Sequence, residues 1–259
     1  MGGDGSLASD ALLEVAPAWK LKAARAARLA LAAIGAPGAG RLEVECSVAT
    51  GVGLGSSTCD VVAAIRAVAA AYGVVLDATT VARLAIEAEG AADPIMFGGE
   101  MVLFAQRQGR VLESFGSWVP PYAVLSLDAD PGAGGVDTLS LPLPQYTDAE
   151  VGDFASLISR ARAAFRARDS GALAAIATES ATLNQRLLPL RNFDGLRRLA
   201  DECGALGLQI SHSGTIAGLL FEPRVARANE ALEAQVSARL RSLGASPLGL
   251  FLTGASVRD

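Results

Sequence analysis

The chain has 259 residues, 51% hydrophobic and 19% charged, a globular composition long enough for one large domain or two small ones. Its net charge of -5 and pI near 5.1 argue against nucleic acid or an anionic membrane as the main partner. The three cysteines, Cys46, Cys59 and Cys203, show no CxxC spacing and read as reduced thiols of a cytoplasmic protein, with no secretory signal and no membrane span.

The first predicted element is a helix over 19–35, WKLKAARAARLALAAIG, with Leu21, Ala24, Leu29 and Leu31 on one face and Gly35 as its stop. Lysine occurs only here, at Lys20 and Lys22, which reads as coding bias toward arginine. RLEVECSV (41–48) alternates as a strand, a glycine-rich stretch follows, and 57–73 is a helix with Ser57 or Thr58 near its N-cap. A helix over 77–90, started by Asp77 or Thr79, leads to strands at 101–106 and 110–115 joined by a short turn. YAVLSLDAD (122–130) is an apolar strand. The Gly- and Pro-rich stretch from 131 to about 145 marks the expected boundary between lobes 1–145 and 146–259.

The second lobe opens on helices over 148–169, 172–188 and 193–207. LQISHSGTIAGLLFEP (208–223) reads as a strand, a small loop and a second apolar stretch, followed by a helix over 225–244 and a last strand within 247–257. Helices alongside sheets in both halves give an α+β protein of two lobes.

The stretch SVATGVGLGSSTCDVV (47–62) asks for a ligand. Three glycines in five residues cost folding entropy, and the usual reason is close approach of backbone N–H groups to an anion. A lysine-bearing P-loop is excluded, because no lysine follows the last glycine. The dinucleotide fingerprint needs G-x-G-x-x-G, and the spacing here is G-x-G-x-G. What remains is a lysine-free cradle: Gly51, Gly53, Leu54 and Gly55 offering main-chain amides, Ser56, Ser57 and Thr58 offering hydroxyls, and a helix dipole behind them. The bland alternative is a tight turn capped by Ser57. Asp60, in the first turn, reads as a carboxylate favoured by the helix dipole alone.

GVGLGSSTCDVVAAIRAV closely resembles the second motif of the GHMP small-molecule kinases, G-x-G-L-G-S-S-[AST], and its SST-Cys-Asp is similar to the S-S-T-A-D of the L-threonine kinases of cobalamin synthesis. GAADPIMF (90–97) resembles that branch's P-T-D-S-x-x-F block, and QISHSGTIAGLLF (209–221) its third motif. The chain departs from the pattern at Ala49, Val52 and Ala91-Ala92. It has no match to the first motif, G-E-x-x-Q-G, so it is either truncated or a divergent member.

The resemblance implies the GHMP kinase fold, a ribosomal-S5-like N-terminal lobe and a ferredoxin-like C-terminal lobe. It also implies transfer of a phosphoryl group from ATP, with Mg2+, to the hydroxyl of a small acceptor such as L-threonine, by a monomer or homodimer. Asp93 is then the catalytic acid that orients the acceptor or takes its proton, against the alternative of a turn aspartate before proline. Ser57 and Glu89 are the expected metal ligands, with Glu87 competing for the second place. Ser211, His212, Ser213 and Gly214 are expected at the substrate or phosphates. Arg83, Arg186 and Arg191 are open candidates for the acceptor's carboxylate. The rivals are another GHMP activity, such as homoserine kinase, and a catalytically decayed nucleotide-binding protein.

Overall fold

The structure is a computed structural model that describes residues 13–46, 55–133, 144–211, 215–228 and 231–254. These fall into two compact units that change over between Ser114 and Phe115.

The first unit contains β1 (Leu13–Ala16), α1 (Leu21–Ala33), β2 (Gly40–Glu43), α2 (Ser56–Ala71), α3 (Ala78–Glu89), a 3-10 turn (Pro94–Phe97), β3 (Val102–Ala105) and β4 (Arg110–Ser114). β1 pairs in parallel with β2, from Leu13 opposite Gly40 to Ala16 opposite Glu43, and β3 and β4 form a hairpin. β1 carries no local signal: LEVA is four residues long and becomes a strand because β2 lies beside it. Asp77 caps α3 as expected, accepting from the Thr80 amide at 2.9 Å.

The core of this unit is three helices packed through small residues. Ala23, Ala26, Ala27 and Ala30 of α1 are buried with Val61 and Ile65 of α2 and Val81 and Leu84 of α3. This corrects the expected α1 face: Leu21 is 73% exposed, and the buried stripe is mostly alanine. Alanine lets helix axes approach closely, while the fully buried Ile65 and Leu84 fill the remaining space, each stabilising by about 2 kcal/mol.

The second unit contains β5 (Ala123–Asp128), α4 (Asp148–Ala167), α5 (Ser170–Asn184), α6 (Phe193–Glu202), β6 (Gly207–Ile210), β7 (Ile216–Phe221), α7 (Pro223–Ala228), α8 (Leu232–Ser242) and β8 (Ser246–Leu252). Its sheet is antiparallel with strand order β6-β7-β5-β8. Strand, helices, two strands, helices and strand along the chain, with that spatial strand order, make the ferredoxin-like arrangement expected for this half. Ala123, Leu125 and Leu127 of β5 pack with Leu196 and Leu199 of α6 and Val236 and Leu240 of α8. Tyr122 and Val124 pack with Ala174 of α5. Gly207 is required where β6 meets α5, because a Cβ there would lie 2.2 Å from the Ala174 carbonyl oxygen.

Two expectations differ from this architecture. The composition shift at 131–145 lies inside the second unit, because β5, which precedes it, pairs with β7 and β8. The single helix expected over 225–244 is described as two, α7 and α8. Among the described residues no helix is long and apolar enough to cross a membrane.

Candidate active site

Helix α2 begins at Ser56 with Gly55 as its N-cap, in the left-handed conformation at φ 70°, and no side chain caps it. Ser57 is therefore not the capping residue. It sits inside the first turn, and its hydroxyl donates to Glu89 Oε2 at 2.7 Å. Gly55 is glycine for two reasons: its backbone conformation disfavours side chains, and a Cβ would come within 3.0 Å of Asp93 Oδ2.

Glu89 is the last residue of α3 and is buried, its side chain 2% exposed. Oε2 takes the Ser57 hydroxyl and lies 4.0 Å from Lys22 Nζ, whereas Oε1 is buried without a hydrogen-bond partner among the described residues. Burial pushes this carboxyl above its ordinary range, opposed by the Ser57 and Thr58 hydroxyls and by Lys22. Glu87 is settled differently: it is exposed and pairs with Arg83 one turn earlier at 3.8 Å.

Asp93 precedes the 3-10 turn, but its carboxylate does not cap it. Its backbone amide donates to Thr58 Oγ1 at 3.3 Å, and Gln106 Nε2 donates to its Oδ1 at 3.0 Å. Gln106 is itself fixed, its carbonyl accepting from the Ala92 amide at 3.1 Å. Arg66 of α2 reaches the Met96 carbonyl at 3.1 Å and holds the same turn against the helix. Asp93 thus faces the start of α2 with Oδ1 anchored and Oδ2 beside Gly55.

Asp60 is buried and paired with Lys20, so the dipole-only reading is corrected: Asp60 lies past the first turn of α2, and its carboxylate is held by an ion pair to the residue preceding α1. Lys20 also lies 4.6 Å over the Trp19 ring.

Ser56, Ser57, Thr58, Glu89 and Asp93 are brought together in the first unit. Gly51, Gly53 and Leu54, and His212, Ser213 and Gly214, lie outside the described residues. Ser211 follows β6 in the second unit, its amide donating to the Ile216 carbonyl at 2.8 Å and its buried hydroxyl without a partner among the described residues. Arg186 pairs with Glu150 at 2.5 Å and Arg191 with Asp130 at 2.6 Å, so both, like Arg83, form ion pairs. Sequence reasoning missed Lys20, Lys22 and Gln106. The confinement of lysine to positions 20 and 22 was the one signal available for two of them.

The residues fit a hard divalent cation. A hydroxyl and a carboxylate supply oxygen donors, and Oε1 is buried without a hydrogen-bond partner among the described residues. Among the described residues no group of three His, Cys, Asp or Glu side chains forms a cation site. The hydroxyl and single carboxylate fit Mg2+, which takes one or two protein carboxylates and draws its other ligands from phosphates and water.

Two family models match in order: GHMP kinases N terminal domain over residues 21–99 and GHMP kinases C terminal over residues 161–245. The chain is 30% identical over 182 residues to an L-threonine kinase of Salmonella typhimurium, covering 70% of this chain and 60% of that one. It is 27% identical over 183 residues to an L-threonine kinase of Citrobacter freundii, covering 70% and 62%. The chain thus spans less than two thirds of the length of these relatives. Its fold is similar to a homoserine kinase from Cytophaga hutchinsonii, with TM-score 0.66, 17% identity and coverage of 93% of this chain and 81% of that one. A mevalonate kinase matches with TM-score 0.64 and 15% identity, covering 89% and 74%. With both domain models matched in chain order, the chain belongs to the GHMP kinase superfamily.

Proposed function

We propose that the protein transfers the γ-phosphoryl group of ATP to the side-chain hydroxyl of a small hydroxy amino acid, L-threonine foremost. The observation that carries this reading is the buried Glu89 carboxylate, one oxygen bonded to Ser57 and the other unpartnered, beside an Asp93 whose carboxylate is not spent on capping. The L-threonine kinase relatives support the choice of acceptor.

In this reading the uncapped start of α2, with Ser56 and Ser57, receives the phosphates through main-chain amides and the helix dipole. Ser57 and Glu89 hold Mg2+. When bound, Mg2+ neutralises charge on the transferring phosphoryl group. Asp93 orients the acceptor hydroxyl or takes its proton, with Gln106 fixing the carboxylate and Gly55 leaving Oδ2 uncovered. Ser211, His212, Ser213 and Gly214 are assigned to phosphate or substrate, supported by the unpartnered Ser211 hydroxyl. Catalysis rests on positioning and charge, without a covalent intermediate. The setting is cytoplasmic, and the product is a phosphorylated hydroxy amino acid for cobalamin assembly.

The test is coupled ADP release with L-threonine, L-serine, L-homoserine, mevalonate and galactose. L-Threonine is expected to give the highest kcat/KM. Preference for mevalonate or galactose refutes the acceptor assignment. ATP binding with no turnover on all five identifies a nucleotide-binding protein instead.

A further inference from the structure

One cleft of the first unit has no part in the phosphoryl-transfer reading. It encloses about 290 Å³ between two walls: residues 42–46 on one side, and Cys59, Asp60, Ala63, Ala64 and Ala67 of α2 on the other. Cys46 ends the first wall and Cys59 begins the second. Both thiols line the cleft, close enough to interact electrostatically, and both are exposed to solvent. Cys59 lies two residues after Ser57, and Cys46 immediately precedes the glycine-rich segment.

We propose that Cys46 and Cys59 form an intramolecular disulfide when the protein meets a small-molecule disulfide of the glutathione class, and that this bond and a bound nucleotide exclude one another. The thiolate of one cysteine attacks the small disulfide, forming a mixed disulfide and releasing one thiol. The second cysteine then attacks the protein sulfur of that mixed disulfide, releasing the other thiol. Two protein thiols become one disulfide, and one small disulfide becomes two thiols. The bond ties the residue before the glycine-rich segment to the first turn of the helix that carries Ser57. The exclusion of nucleotide rests on the function proposed above; the disulfide does not.

The full chain carrying Cys203→Ser is incubated with oxidised glutathione and digested with trypsin without reduction. Arg41 and Arg66 bound a single peptide, 42–66, that contains both cysteines. The expected product is monomeric protein whose peptide is two hydrogens lighter and returns to its reduced mass with dithiothreitol. Cys46→Ser and Cys59→Ser should each leave one stable glutathione adduct instead. Glutathione adducts on the unsubstituted pair, or a covalent dimer, would overturn the disulfide. Mg·ATP at about ten times its Kd, measured by calorimetry on the reduced protein, should slow the bond's formation about tenfold. An unchanged rate at that occupancy overturns the exclusion. Absence of ATP binding overturns it together with the kinase reading, while the peptide mass still decides the disulfide.

Discussion

Two glutamates on helices meet opposite fates. Glu179 of α5 lies in a cleft of about 470 Å³ beside α4 and takes two parallel bonds from Arg160 at 2.6 Å each. Both side chains are about half exposed, and the guanidinium holds the Glu179 carboxyl below its ordinary range. Thr178 in the same groove is also satisfied, accepting from the Leu208 amide at 2.8 Å. Glu89 is buried, has one oxygen unpartnered among the described residues, and is pushed the other way by desolvation. A buried polar atom left without a partner is costly to maintain in a folded protein. Its survival beside Asp93 marks a site more sharply than the volume of the groove at Glu179 does.

The contrast is open to breaking, beginning with the largest effect. Lys20→Met leaves Asp60 buried and uncompensated, and should cost about 3–5 kcal/mol in denaturant unfolding. The double variant Lys20→Met/Asp60→Leu should recover much of that loss. No loss in the single variant would show that the pair is not buried in solution. Asp93→Asn should lower kcat for L-threonine about 10²-fold or more with ATP affinity retained. A fall in ATP affinity with kcat preserved would move Asp93 from chemistry to binding. Gly55→Val forces a branched residue into the left-handed region, at about 1–2 kcal/mol, and crowds Asp93 Oδ2. Calorimetry should find ATP bound at least about tenfold more weakly in the folded variant.

Titration sharpens the same comparison. Glu89 has a folded-state pKa above its ordinary 4.5, so the unfolded state ionises first as pH rises. Its contribution to stability is fully present below 4.5 and is lost as pH rises from there through the folded value. In EDTA, Glu89→Gln should therefore melt above wild type at neutral pH and converge with it near pH 4, with the order reversed in Mg2+. Identical profiles with and without Mg2+ would remove Glu89 from the metal's ligands. The smallest effect belongs to the other glutamate: Arg160→Ala, which breaks an exposed pair, should leave turnover and melting unchanged within error.

The glycine-rich stretch stood out because glycines at that density need a reason, whereas the roles expected of Ser57, Glu89 and Asp93 came from the resemblance to the GHMP kinase motifs. Asp60 was legible from neither. From the sequence it is one more acid in a first helical turn, and only a lysine forty residues earlier changes its meaning. Leu21 and Ala23 show the matching limit in the fold. Hydrophobicity placed the leucine inside, whereas close packing of α1 on α2 and α3 needed the alanine there. The lobe boundary followed composition to 145, but β5 belongs with strands that arrive far later in the chain.

That last pairing has a consequence for how the protein is made. Ala123 sits opposite Phe221 on one side and Leu252 on the other, so this inner strand of the second unit's sheet waits for almost the whole remaining chain. The first unit, by contrast, closes its helix packing from residues before Ser114. On a ribosome the first unit is complete while β5 emerges as an apolar ribbon with both edges open, and loop-closure entropy delays its pairing further. Vectorial synthesis therefore leaves AVLSLD as the segment exposed longest to chaperones and to self-association. Slowing translation between β5 and β8 would lengthen that exposure without changing a single residue of the native state.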